Sequence, residues 1–152
     1  MFWEHLGPSM ALERCDASGC GTLFKGNAGT LSVSPDDRRL AFLADENRGH
    51  VIRWVPTDGR GAGREVAVVD TACRPVWSNE KDLWIVLHNG RHVTWTEFDT
   101  DTARPTGRTL PGTRDCTDNV PDPASPGEEA VKVEFAFRSQ VRLLPAKELP
   151  GR

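Results

Sequence analysis

The sequence predicts an all-β chain built from repeated units of four short antiparallel strands, and three observations carry that reading. The stretch "SVSPDDRRLAFLAD" (Ser32–Asp45) holds two alternating apolar runs joined by a Pro-Asp-Asp turn. Alternation at period two is the mark of a strand with one face buried. That hairpin repeats: a shift of 44 residues lays Ala28–Ala44 on Ala72–His88, with Leu40 on Trp84 and Phe42 on Val86. Finally, 14 glycines and 11 prolines are scattered along 152 residues, and no segment shows an apolar stripe at 3.6-residue spacing. Turn residues at that density suit many short strands and disfavour long helices.

The elements follow in order. Ser9–Cys15 and Thr22–Lys25 read as the closing strands of a partial unit over residues 9–27, with Phe2–Leu6 ahead of them. A whole unit, residues 28–71, runs through Thr30–Ser34, Arg39–Ala44, His50–Pro56 and Glu65–Asp70. A second, residues 72–112, runs through Arg74–Ser78, Leu83–Leu87, His92–Phe98 and Gly107–Leu110. The tail, residues 113–148, is a degenerate partial unit with strands at Cys116–Val120, Val131–Phe137 and Gln140–Leu144. Its stretch Thr113–Ala130, rich in proline and acidic residues, reads as an elaborated loop, and the last residues as an unpaired terminus. In the third strands Trp95 follows Trp54 by 41 residues. Four antiparallel strands recurring at this period are the pattern of a β-propeller blade. The chain therefore carries about three to three and a half blades in a single repeat domain.

"SPDDRRLAFLADENRGHVIRWVPTDG" resembles the TolB-like propeller repeat, in which a Ser-Pro-Asp turn leads into "LAF" and then an Ile-x-Trp-Val strand. "WSNEKDLWIVLHNGRHVTWTEFD" is a looser copy, with Asn79-Glu80 in place of Pro-Asp. The match is good over Ala28–Asp70 and loose over Ser9–Leu144. The resemblance implies a fold and a module for protein or small-ligand contact, not a particular activity.

Propellers close into rings of 4–8 blades so that few strand edges stay bare. Here the tail offers inner strands and the start offers outer ones. Fusing them within one chain yields only three blades, so two chains closing a ring of six or seven is the more comfortable geometry.

A net charge of −3 gives no electrostatic footprint for nucleic acid. No apolar run approaches the ~20 residues that span a bilayer, so membrane insertion is not expected. The start "MFWEHLGPSM" has neither the basic nor the apolar region of a signal peptide. No cofactor motif is present: "GRGAGRE" (Gly59–Glu65) is glycine-rich but opens a strand, without the helix N-terminus that phosphate loops use.

Four cysteines, Cys15, Cys20, Cys73 and Cys116, make an even set compatible with two disulfides. "CDASGC" places Cys15 and Cys20 across a hairpin, within reach of one another. Cys73 and Cys116 both open an innermost strand, so they face each other near the channel mouth. Free thiols remain an alternative, and a four-thiolate metal site has no C-x-x-C spacing to support it. Paired cysteines imply a periplasmic or extracellular setting.

No catalytic constellation is legible. Asp36-Asp37 and Asp45-Glu46 fall in turns beside arginines, which is solvated turn chemistry. His88 and His92 bracket a turn; as an i, i+4 pair they would hold a metal only on a helix, and this segment reads as strand-turn-strand. As contact residues the sequence offers Arg48 and His50 in one loop, and His88, Arg91 and His92 in another on the same face. Trp77, on a predicted innermost strand, is the candidate aromatic lining the channel, whereas the recurrent Trp54 and Trp95 read as packing between blades. The expected function is a non-catalytic binding or sensor module for a protein, a peptide, a small ligand or a second copy of the chain. The alternatives are a propeller gating a hydrolase encoded elsewhere, and a self-assembling structural protein.

Overall fold

The computed structural model describes residues 2–5, 11–117, 119–123, 131–136 and 140–145, with side chains for 11–117 and 119–123. These residues form thirteen strands in three antiparallel sheets, and among the described residues no helix is long and apolar enough to cross a membrane. The chain is thus all-β and built of blade-like sheets.

Two sheets have four strands each, in simple meander order. The first holds β4 (Asn27–Val33), β5 (Arg39–Glu46), β6 (Gly49–Pro56) and β7 (Arg64–Val69). The second holds β8 (Val76–Trp77), β9 (Asp82–Asn89), β10 (His92–Asp99) and β11 (Arg104–Pro111). The third joins the two ends of the chain. In it β1 (Phe2–His5), β2 (Ala11–Asp16) and β3 (Gly19–Lys25) continue a hairpin of β12 (Val131–Ala136) and β13 (Gln140–Pro145). The junction is the antiparallel pairing of β1 with β13, Phe2 opposite Leu143 and His5 opposite Gln140. The two partial units meet in one five-stranded sheet of a single chain, so the bare edges that motivated a two-chain ring are here paired with each other.

Alternation along β5 dictates the stacking. Leu40, Phe42 and Ala44 point to one side and pack with Leu12, Ala28, Leu31 and Val55. Ala41 and Leu43 point to the other and pack with Ile52, Val66, Trp77, Leu83, Ile85 and Phe98. All five β5 residues are buried, because a middle sheet has a neighbour on each face. The far side of β9 and β10 carries Trp84, Val86 and Trp95. Gly112 lies close there, since a Cβ on it would sit 3.2 Å from the Trp95 ring.

Polar bridges cross the seam between the two four-stranded sheets. The Trp54 indole N–H donates to the Thr100 carbonyl at 2.9 Å, and the Arg39 guanidinium stacks on Trp54 while donating to the buried Thr100 hydroxyl at 2.6 Å. At the inner edge Arg74 donates to the Leu31 carbonyl and Trp77 to the Ser32 carbonyl, both at 2.8 Å. The pairing of β4 with β5 shifts register between Gly29 and Ser32, and Leu31 and Ser32 give their carbonyls to the neighbouring sheet at that irregularity.

Two expectations need correction here. The described residues of Cys116–Val120 form no strand: Cys116 has φ +63° and sits in a turn where Asp115 accepts from the Thr113 and Thr117 hydroxyls. Side-chain acceptors in "TRDCT" satisfy the local chain and stop pairing. The innermost strand expected over Arg74–Ser78 shrinks to Val76–Trp77, as Pro75 has no N–H to give to a ladder.

Candidate functional site

A groove of about 370 Å³ opens where the two four-stranded sheets meet at their hairpin end. One wall comes from the β5–β6 turn and β6 (Arg48, Gly49, His50), with Val68, Val69 and Asp70 from the end of β7. The other comes from Leu87 and His88 on β9. Both flanking hairpins are tight, with two-residue loops at Asn47-Arg48 and Gly90-Arg91. Gly90 takes φ +62°, which its first central loop position demands and which a side chain would disfavour.

His88 crosses the seam. Its Nδ1 lies 3.0 Å from a carboxylate oxygen of Asp70, with the imidazole 9% exposed and Asp70 64% exposed. A carboxylate only accepts, so the Nδ1–H of His88 donates to Asp70. The His88 Nε2 is buried and has no hydrogen-bond partner among the described residues. His50 is held the same way, its Nδ1 against Asp45, whose other oxygen accepts from the Asn27 amide at 2.9 Å. Both rings are fixed through Nδ1, the arrangement by which a carboxylate orients an imidazole for a contact at its other nitrogen.

Arg48 belongs to a charge cluster at the rim. Its guanidinium lies 2.6 Å from Glu65 and 3.2 Å from Glu46, and Arg53 reaches Glu46 as well. The hydrogen bond with Glu65, then that with Glu46, holds Arg48 still further above its ordinary range. Glu46 is pushed below the usual carboxylate range first by Arg53, and Glu65 first by Arg48. Val68, 47% exposed, and Leu87 add apolar surface. The groove combines an apolar patch, two carboxylate-held imidazoles and a rim of both charges, which can hold a ligand that pairs polar groups with apolar surface.

Of the residues singled out from sequence, Arg48, His50 and His88 come together in this groove. Arg91 and His92 are exposed in the β9–β10 turn region and do not line it. Trp77 is 2% exposed within the core between the sheets, its indole N–H taken by Ser32, so it packs the seam instead of lining an open channel. Trp54 and Trp95 also pack, Trp54 against the seam core and Trp95 on the far face of the second sheet. The cysteines form two disulfides, Cys15–Cys20 and Cys73–Cys116, with Cα atoms 4.0 and 5.8 Å apart. Cys73 and Cys116 meet beside Trp84 and Trp95, though neither lies in a strand.

Sequence reasoning missed Asp70, Val68, Val69 and Leu87. A signal existed for the valines: "VAVV" (Val66–Val69) is an unbroken apolar run where a half-buried outer strand should alternate. The register shift of β7 against β6 lets Val66 and Val69 turn inward and leaves Val68 outside. Nothing local in the sequence marks Asp70 as the partner of His88.

No family model matches the chain, and no curated protein matches it. Among solved structures the chain is similar to one described as "The beta-propeller domain of the Trilobed protease from Pyrococcus furiosus reveals an open velcro topology". The two share 13% identity with a TM-score of 0.49, over 74% of this chain and 44% of that one, so the chain spans less than half of that neighbour's length.

Proposed function

We propose that this chain is a non-catalytic propeller-type module, of the TolB-like kind, that binds a protein segment or small ligand in the groove between its two four-stranded sheets. The observation that carries this reading is the buried, unpartnered Nε2 of His88, held in place by Asp70 beside exposed Val68. Nε2 is closed off from solvent, so a ligand reaches it only through a small shift of the ring, which offsets the roughly 1–3 kcal/mol that a buried unpartnered polar atom costs. Its partner is a protein, a peptide or a small ligand bearing a hydrogen-bond donor. Two disulfides in so small a chain favour an extracytoplasmic setting.

The test is a thermal-shift screen of peptides and small polar compounds against the native chain and a His88→Phe variant. Compounds that raise the melting temperature of the native chain only, and lose that effect on Arg48→Ala or Val68→Asp, support the groove. Compounds that stabilise native chain and all three variants equally bind elsewhere and sink the reading.

A further inference from the structure

The second feature with unassigned chemistry lies at the opposite side of the first four-stranded sheet, on the β2–β3 hairpin. Cys15 and Cys20 are directly opposed in the ladder, and Glu13 sits two residues before Cys15, on the same face of β2. Both sulfurs and a carboxylate oxygen of Glu13 lie within 4.8 Å of one another. Cys20 is exposed, with Glu13 and Cys15 half-buried. The other disulfide differs in each respect: Cys73 is 5% exposed, and the bridge closes a separation of 43 residues instead of 5.

We propose that the Cys15–Cys20 pair, once reduced, forms with Glu13 a binding site for a thiophilic divalent cation such as zinc. Exposed disulfides are the ones that exchange with thiols, whereas buried ones persist. A dithiol reductant gives two electrons and two protons, the Cys15–Cys20 sulfur–sulfur bond breaks to two thiols, and the reductant closes to its own disulfide. The cation then displaces the two thiol protons, and two thiolates with one carboxylate occupy three positions, leaving water for the fourth.

The geometry asks for little movement. Tetrahedral zinc with Zn–S bonds near 2.3 Å needs its sulfurs about 3.8 Å apart, and its carboxylate oxygen bond is about 2.0–2.2 Å. Those separations are of the same size as the 4.8 Å within which the two sulfurs and the carboxylate oxygen already lie, so the site forms once the sulfurs part and the Glu13 carboxylate turns to the cation. The Asp16–Gly19 turn holds the two strands together when the bond opens, and Ser18 donates to the Asp16 carboxylate through both its amide and its hydroxyl. Soft thiolates select zinc or cadmium over magnesium or calcium.

The experiment uses the full chain with cadmium(II) as probe. After mild treatment with a dithiol, alkylation and peptide mass analysis are expected to label Cys15 and Cys20 while Cys73 and Cys116 stay joined. Cadmium is then expected to bind once per chain, with an ultraviolet thiolate-to-cadmium band absent from the oxidised protein. Cys20→Ser abolishes that band, and Glu13→Gln keeps the band but raises the cadmium Kd at least about tenfold. Reduction of Cys73–Cys116 first, equal binding by the oxidised chain, or an unchanged Kd in Glu13→Gln would each overturn the proposal. Far-ultraviolet circular dichroism of the reduced, metal-free chain is expected to match that of the oxidised chain. A collapse of the β signal there would also overturn it, since the site would then have no scaffold.

Discussion

His88 on β9 and Asp70 at the end of β7 belong to different sheets, and the 3.0 Å contact between them clamps the two sheets at the hairpin end. Asp70→Ala leaves the 9%-exposed imidazole without its acceptor, so both ring nitrogens lose their bearings. The expected cost is about 1 kcal/mol, limited because Asp70 is itself mostly exposed and screened by solvent. Urea unfolding checks the cost. Long-range proton–nitrogen NMR of the ring checks the mechanism, with the Nδ1–H tautomer of the native chain lost in the variant.

At the other end of the same seam Thr100 is fully buried, and its hydroxyl accepts from Arg39 and donates to the Lys81 carbonyl at 2.6 Å. Thr100→Val keeps the volume and removes both bonds. The Lys81 carbonyl keeps the Thr100 amide and Arg39 keeps Asp101, so the expected cost is about 1 kcal/mol, that of the lost hydrogen bonds alone. A double-mutant cycle with Arg39→Met measures how much of that is shared, and strict additivity would show that the two residues act apart.

Glu97 is 2% exposed and surrounded by donors: Thr106 at 2.7 Å, Arg108 at 2.8 Å and the Ser78 hydroxyl. Arg108 also lies over the Trp84 ring at 5.2 Å. Arg108→Ala therefore strands a buried carboxylate and uncovers an indole, and is expected to destabilise by about 2 kcal/mol. Adding Glu97→Gln to it is expected to recover part of the loss, since the amide needs no cation. Calorimetric melting of both variants checks the order.

Carboxylates paired with cations at the rim and at the far end of β10 set a pH dependence. Glu46, Glu65 and Asp99 all have carboxyls held below their ordinary range, by hydrogen bonds from Arg53, Arg48 and Lys81 respectively. A carboxyl depressed in the folded state stabilises it above the unfolded value, about 4 for these groups, and that contribution is lost as pH falls through the lower folded value. The melting temperature is thus expected to be flat from pH 7 to 5 and to drop below about pH 4. Arg48→Ala is expected to make that drop shallower, and added salt to do the same.

The two disulfides are expected to differ in worth. Chain-entropy reasoning gives about 4 kcal/mol for the long loop closed by Cys73–Cys116 and about 2 kcal/mol for the short one closed by Cys15–Cys20. The double variants Cys73→Ala/Cys116→Ala and Cys15→Ala/Cys20→Ala, compared by chemical denaturation, are expected to fall in that order.

What the sequence made legible was local. The Ser34-Pro35-Asp36 turn is visible in three letters because its chemistry is self-contained: the Ser34 hydroxyl donates to Asp36 and accepts from the Arg39 amide. The alternation of Leu40–Ala44 likewise announces a strand, and Cys15 opposite Cys20 follows from hairpin spacing. What stayed hidden depends on neighbours distant in sequence. Trp77 read as lining a channel because its donor finds Ser32 only across the seam, 45 residues away, at an irregularity no local pattern marks. Arg48, His50 and His88 could be chosen as loop residues, yet the valines and Asp70 that complete their groove are brought there by sheet stacking.

The most direct test of the account is amide NMR mapping of the ligands found by thermal shift. The account requires the shifts to cluster at Gly49, His50, Val68, Val69, Leu87 and His88, and to vanish in His88→Phe. Shifts that cluster on the β2–β3 hairpin, on β11 or evenly over the chain would contradict the assignment of the inter-sheet groove as the binding surface.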